Sequence, residues 1–161
     1  MPIKLNGEKV CSPLASRLAY YKEEHMRHLF ALQGVGNCGK SDTLIYLFQA
    51  LQTKYPTATI QTFNHRTKDI EIIMRGVNGL VVGIESHGDP NSRLQKSLRA
   101  FAEAKCDIIF CACHKRGMTV DWVNALSTAY SIHFIVQTKV SDNYGATNTA
   151  TTSLLMQQAG I

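Results

Sequence analysis

The chain has 161 residues, 45% of them apolar and 18% charged, with a formal net charge of +5 and a sequence pI near 9.0. That length suits one domain, 1–161, with a sizeable core, and the apolar balance excludes a disordered chain. No stretch approaches the roughly 18 apolar residues of a membrane-spanning helix, and no apolar leader core opens the chain. No membrane partner is therefore expected.

Residues 1–27 read as an N-terminal arm and helix. Asn6-Gly7 marks a turn, and Ser12-Pro13 offers an N-cap with proline at the first helical position. Leu14, Leu18 and Tyr21 follow at helical spacing, which predicts a helix to about His25. Such an arm suits a homo-oligomer contact or a docking role.

An apolar run over 28–33 stops at Gly34 as a buried strand would. The next helix covers 41–55, with Leu44, Ile45, Leu47, Phe48 and Leu51 on one side and Pro56 as its stop. Residues 57–63 alternate like a strand. Segments 69–75 and 80–85 flank Gly76-Val77-Asn78-Gly79 and predict an antiparallel hairpin. Asp89-Pro90 is expected to cap and open a further helix, striped by Leu94, Leu98 and Phe101. A strand over 107–112, a helix over 119–130, a strand over 132–137 and a terminal helix over 148–159 complete the chain, with a polar loop at 138–147. Repeated strand-loop-helix units imply an α/β fold in three layers: a mainly parallel sheet flanked by helices, with one antiparallel hairpin.

The chemistry concentrates in Gly34-Val35-Gly36-Asn37-Cys38-Gly39-Lys40-Ser41, a full G-x₄-G-K-S pattern between a strand and a helix. Glycines let the backbone approach an anion without a Cβ in the way. Successive N–H groups then form a nest, reinforced by the helix dipole. Lys40 supplies an ammonium to the β- and γ-phosphates, and the Ser41 hydroxyl a Mg²⁺ ligand. Asp42 follows in the first helical turn.

These residues resemble the phosphate loop of the P-loop NTPase superfamily, specifically over 29–51 and more loosely across the αβ pattern. The resemblance implies a nucleoside triphosphate as ligand, Mg²⁺ as cofactor, and hydrolysis or phosphoryl transfer to a small acceptor. Leu80-Val81-Val82-Gly83-Ile84-Glu85 resembles the strand that ends in a Mg²⁺-holding carboxylate. Glu85 and Asp89 are the two candidates, with Asp89 preferred because Gly88 lets the backbone turn at a strand end. His87 lies between them. Asp89 doubles as a possible helix cap, and Glu85 as an edge-strand surface residue.

Cys113-His114-Lys115-Arg116-Gly117 follows the next apolar strand on the same rim. Arg116 is the best candidate for neutralising charge on a transferring phosphate, since guanidinium grips it through two donors. The alternative is a solvated basic loop. Cys106, Cys111, Cys113 and His114 lack the paired C-x₂-C spacing of a zinc site and read as structural. The five cysteines (Cys11 and Cys38 are the others) show no disulfide framework, which suggests a reducing, cytoplasmic setting.

Thr138-Lys139-Val140-Ser141-Asp142 has one residue too many for a guanine-recognition motif, so ATP is favoured over GTP, with Lys139 or Tyr144 packing on the base. A nucleotide-gated regulatory module with little turnover is the alternative to an enzyme. Nucleic acid is a third partner class that the net charge permits. The 17 Lys and Arg are scattered, however, and form no stripe interleaved with aromatics.

Overall fold

Alternation along the strands decides the layers. In the computed structural model, which describes residues 26–63, 68–139 and 144–161, Phe30 and Leu32 share one sheet face with Phe110, Ala112, Ile72 and Met74. Leu44, Leu47 and Leu51 pack on that face. Leu29, Ala31, Ile109, Cys111 and Ile73 occupy the opposite face, under Leu94, Leu98, Phe101 and Val123. A period of two within each strand makes both cores at once.

The described elements are β1 (Arg27–Gln33), α1 (Lys40–Lys54), β2 (Thr59–Thr62), β3 (Glu71–Val77), β4 (Leu80–Glu85), α2 (Leu94–Glu103), β5 (Ile108–Cys113), α3 (Met118–Asn124), β6 (Tyr130–Val136) and α4 (Tyr144–Ala159). They form one α/β unit with a six-stranded sheet in the order β2-β3-β4-β5-β1-β6. β4, β5, β1 and β6 run parallel. β3 opposes both neighbours, so two antiparallel pairings occur where one hairpin was expected. Helices α1 and α4 lie on one face, α2 and α3 on the other.

The β3–β4 hairpin forms where predicted. Asn78 (φ 53°) and Gly79 (φ 77°) both take positive φ, as a tight two-residue turn between twisted strands demands. The boundaries differ most from the sequence expectation at the start of α2, at the junction of α3 and β6, and at the start of α4. α2 begins at Leu94 rather than at Pro90, with Arg93 at its N-cap position and no capping side chain. Asp89 is therefore not a helix cap; its carbonyl closes a turn with the Ser92 N–H at 3.0 Å. α3 ends at Asn124, and Tyr130 starts β6 instead of ending a helix. The buried Tyr130 ring carries its hydroxyl to the Cys106 carbonyl at 2.7 Å, which makes the strand position affordable. α4 starts at Tyr144, four residues before the expected 148, so that Asn148 lies buried within the helix instead of opening it.

Of the arm and helix expected over 1–27, residues 1–25 lie outside the described residues, and Arg27 already belongs to β1. Among the described residues, no helix is long and apolar enough to cross a membrane.

Candidate functional site

Four parallel strands end on one edge, so the loops after β1, β4, β5 and β6 gather there. A cavity of about 650 Å³ opens at this edge, lined by Gly36–Asp42 on one side and by Asp69, His87 and Asp89 among others on the opposite side. Crevices at the carboxyl ends of parallel strands are where α/β folds bind ligands.

The loop from Gly34 to Gly39 is held in a curl by its own lysine. Lys40 Nζ donates to the carbonyls of Gly34 (2.9 Å) and Val35 (2.7 Å) and lies 3.7 Å from Cys38 Sγ. Gly34 and Val35 thus anchor Lys40 through their carbonyls and are not part of the cavity lining, while Gly36, Asn37, Cys38, Gly39, Lys40, Ser41 and Asp42 line it. Two glycines are obligatory for steric reasons. A Cβ on Gly34 would stand 2.5 Å from Cys38 Sγ, and Gly39 takes φ +92° immediately before the helix. No side chain caps α1 at Gly39. The first-turn N–H groups, which have no partner within a helix, face the edge where an anion could take them.

The two carboxylates at the end of β4 have opposite surroundings. Glu85 is fully buried and bound on both oxygens. Arg93 reaches Oε2 at 2.9 Å and Oε1 at 3.2 Å, Ser97 Oγ donates to Oε2 at 2.6 Å, and the His87 N–H donates to Oε1 at 2.9 Å. Burial pushes its carboxyl above the usual range, against the pull of Ser97, the His87 N–H and Arg93. Arg93 also reaches Glu71 at 3.0 Å. Glu85 therefore ties α2 to β3 and β4 and does not line the cavity. Neither reading made of it from sequence, surface residue or metal ligand, describes these surroundings.

Asp89 does line the cavity and is exposed. His114 Nε2 lies 2.9 Å from its Oδ1 and His87 Nε2 3.5 Å from its Oδ2. The hydrogen bond from His114 holds the Asp89 carboxyl below its ordinary range, against the opposing effect of burial and with smaller help from the charges of His114, His87 and Lys40. Gly88 makes this position possible. A Cβ there would come within 2.2 Å of the Ala112 carbonyl oxygen, so the turn after β4 can rest directly on the end of β5.

Ser41 joins the two walls, its hydroxyl donating to the Ser86 carbonyl at 2.8 Å. The Ser86 hydroxyl donates to Asp69 at 3.0 Å and accepts from the Ile70 N–H at 2.8 Å. Asp69 also stands 3.9 Å from His87. Sequence reasoning missed Asp69 and Lys68 because they precede a strand instead of following one; the reversed direction of β3 brings them to this edge. The hairpin register, which sets 70 beside 86, was the available signal.

Lys139 lines the cavity as expected. Arg116 is exposed on the loop after β5 and is not part of the cavity lining. Of its loop, His114 is the residue that reaches across, through Asp89. The polar loop expected over 138–147 is shorter, since α4 already runs from Tyr144. Residues 140–143 lie outside the described residues.

Cys38, Cys106, Cys111 and Cys113 are free and buried. Among the described residues, no group of three or more His, Cys, Asp or Glu side chains stands in metal-holding geometry. A Mg²⁺ ion completed by phosphate oxygens and water needs only one or two protein ligands, and Ser41 with Asp89 can supply them. No family model, curated protein or solved structure matches the chain.

Proposed function

We propose that the chain binds a nucleoside triphosphate with Mg²⁺ in this cavity, ATP in preference to GTP, as a member of the P-loop NTPase superfamily, and hydrolyses it or transfers its γ-phosphate to a small acceptor. The observation that supports this best is the curled loop from Gly34 to Ser41, stapled by Lys40 and open to a cavity whose far wall carries an ionised Asp89. In this reading the loop amides and the α1 N-terminus hold the β-phosphate, and Lys40 neutralises the β- and γ-phosphates. Mg²⁺, when bound, would neutralise charge on the β- and γ-phosphates. Ser41 and Asp89 would hold it from opposite walls, Asp89 through water, and His114 keeps the Asp89 carboxylate ionised and aimed.

Asp69 and His87 face the same cavity beyond Asp89 and are the groups placed to orient an attacking water or acceptor hydroxyl. Glu85 takes no part in metal binding here, and Arg116 has no role in the cavity.

Calorimetric titration with Mg-ATP tests the reading. Lys40→Ala should weaken binding roughly ten- to a hundredfold, since a charge-assisted contact contributes about 1.5–3 kcal/mol, while circular dichroism stays that of the parent. Equal affinity in the variant would remove the central assignment. A γ-phosphate release assay with a panel of small acceptors then separates hydrolysis, transfer and a slow nucleotide-gated switch.

A further inference from the structure

Beneath the phosphate loop lies a buried polar cluster that the nucleotide reading does not use. Thr43, Gln137, Asn148 and Thr152 are all buried, at 0, 3, 3 and 5% exposure. Buried amides are costly unless their donors and acceptors are paired. Here they are, and the pairing has a direction. Gln137 Nε2 donates to the Cys38 carbonyl at 2.9 Å and to Asn148 Oδ1 at 3.1 Å, using both of its protons. Its Oε1 accepts from the Thr43 hydroxyl at 2.9 Å, a proton for which the Gly39 carbonyl and Asn148 Oδ1, both at 3.0 Å, are the other acceptors. Only the Gln137 orientation with nitrogen toward Cys38 satisfies this set.

Gln137 also reaches the other end of the loop through its main chain. Its N–H donates to the Gln33 carbonyl at 2.7 Å, and its carbonyl oxygen would stand 2.8 Å from a Cβ on Gly34. One residue therefore grips the loop where it leaves β1 and again where it enters α1. A trans peptide points its C=O and the following N–H in opposite directions. A Cys38 carbonyl drawn inward to Gln137 leaves the Gly39 N–H turned outward, and Gly39 lines the cavity.

We infer that Gln137, fixed by Asn148, is a positioning residue that sets the Cys38–Gly39 peptide so that the Gly39 N–H meets the ligand's phosphate. The loop is thus pre-formed before an anion arrives, and the ligand does not have to supply the cost of turning that peptide. This inference rests on the phosphate-binding reading of the cavity and adds the group that orients it.

The test uses Mg-ADP and inorganic pyrophosphate as probes, with calorimetry and the ¹⁵N–¹H resonance of Gly39 as readouts. In the parent, either probe should bind and move that resonance downfield, as a charge-assisted hydrogen bond does. Gln137→Leu should weaken both probes about ten- to a hundredfold and abolish the shift. Thr152→Val serves as the stability control. It removes the hydroxyl that donates to the Thr43 carbonyl at 3.2 Å, without touching the loop. It should lower the melting temperature yet bind both probes within twofold of the parent.

Parental affinity in Gln137→Leu, or equal weakening in Thr152→Val, would overturn the inference while leaving the nucleotide reading in place. A parent that binds neither probe overturns the nucleotide reading itself. Should Gln137→Leu fail to fold, Gln137→Glu is nearly isosteric and carries the same prediction, because a carboxylate repels the Cys38 carbonyl it must face.

Discussion

Glu85 and Asp89 stand four residues apart and do different work because of what surrounds each. Glu85 is desolvated, and its charge is matched by Arg93 and two further donors; removing one partner of a buried pair typically costs about 3–5 kcal/mol. Glu71 shares Arg93, which softens the loss. Glu85→Gln should therefore lower the melting temperature markedly while sparing the Mg²⁺ dependence of nucleotide binding. Asp89→Asn should do the reverse, since Asp89 is exposed and its charge faces the cavity. Titrating both variants with ATP, with and without Mg²⁺, separates the roles. A Glu85→Gln protein that loses its Mg²⁺ response at parental stability would exchange the two assignments.

At the scale of elements, the site depends on how closely the end of β4 approaches the end of β5. Gly88 rests against Ala112 backbone atoms, which cannot swing aside as a side-chain tip can. Gly88→Ala is expected to cost about 1–3 kcal/mol, in line with overpacking elsewhere, and to displace Asp89 from His114. Thermal melts together with Mg-ATP affinity check this. Unchanged values for both would mean that the turn has room to relax. The same element junction explains why sequence reading stopped short. The hairpin of β3 and β4 was legible from Gly76-Val77-Asn78-Gly79, but the order that seats β5 between β4 and β1 was not. Strand order follows from which faces bury together, and local pattern does not encode it.

For the whole molecule, the buried thiols make alkaline stability a readout of the core. Burial pushes Cys106 and Cys113 up to about 12 and Cys111 well above its usual value. The folded state thus keeps protons that the unfolded chain releases above pH 9. The sign is negative: between about pH 9 and 12 the native form binds more protons, so stability falls as pH rises, by roughly 1.4 kcal/mol per pH unit for each such thiol. Urea melts at pH 8 and pH 10.5 should show the loss, and Cys106→Ala should reduce its slope. Equal midpoints at the two pH values would mean that the thiols ionise as readily folded as unfolded.

By itself, the sequence determined what local chemistry encodes: the glycine-lysine-serine loop between a strand and a helix, the period-two strands, the tight hairpin and the absence of a zinc-like cysteine spacing. These depend on neighbours within a few positions. Tertiary structure alone decided which carboxylate faces the cavity, that Arg116 stands outside it, that Asp69 lines the side opposite the loop, and that Gln137 and Asn148 belong beside the loop. Asn148 lies more than 100 residues from the Thr43 hydroxyl it meets, and a buried amide is indistinguishable from a loop amide until the chain has closed around it. Burial and charge pairing are properties of the assembled sheet, so they become readable only once the strand ends meet.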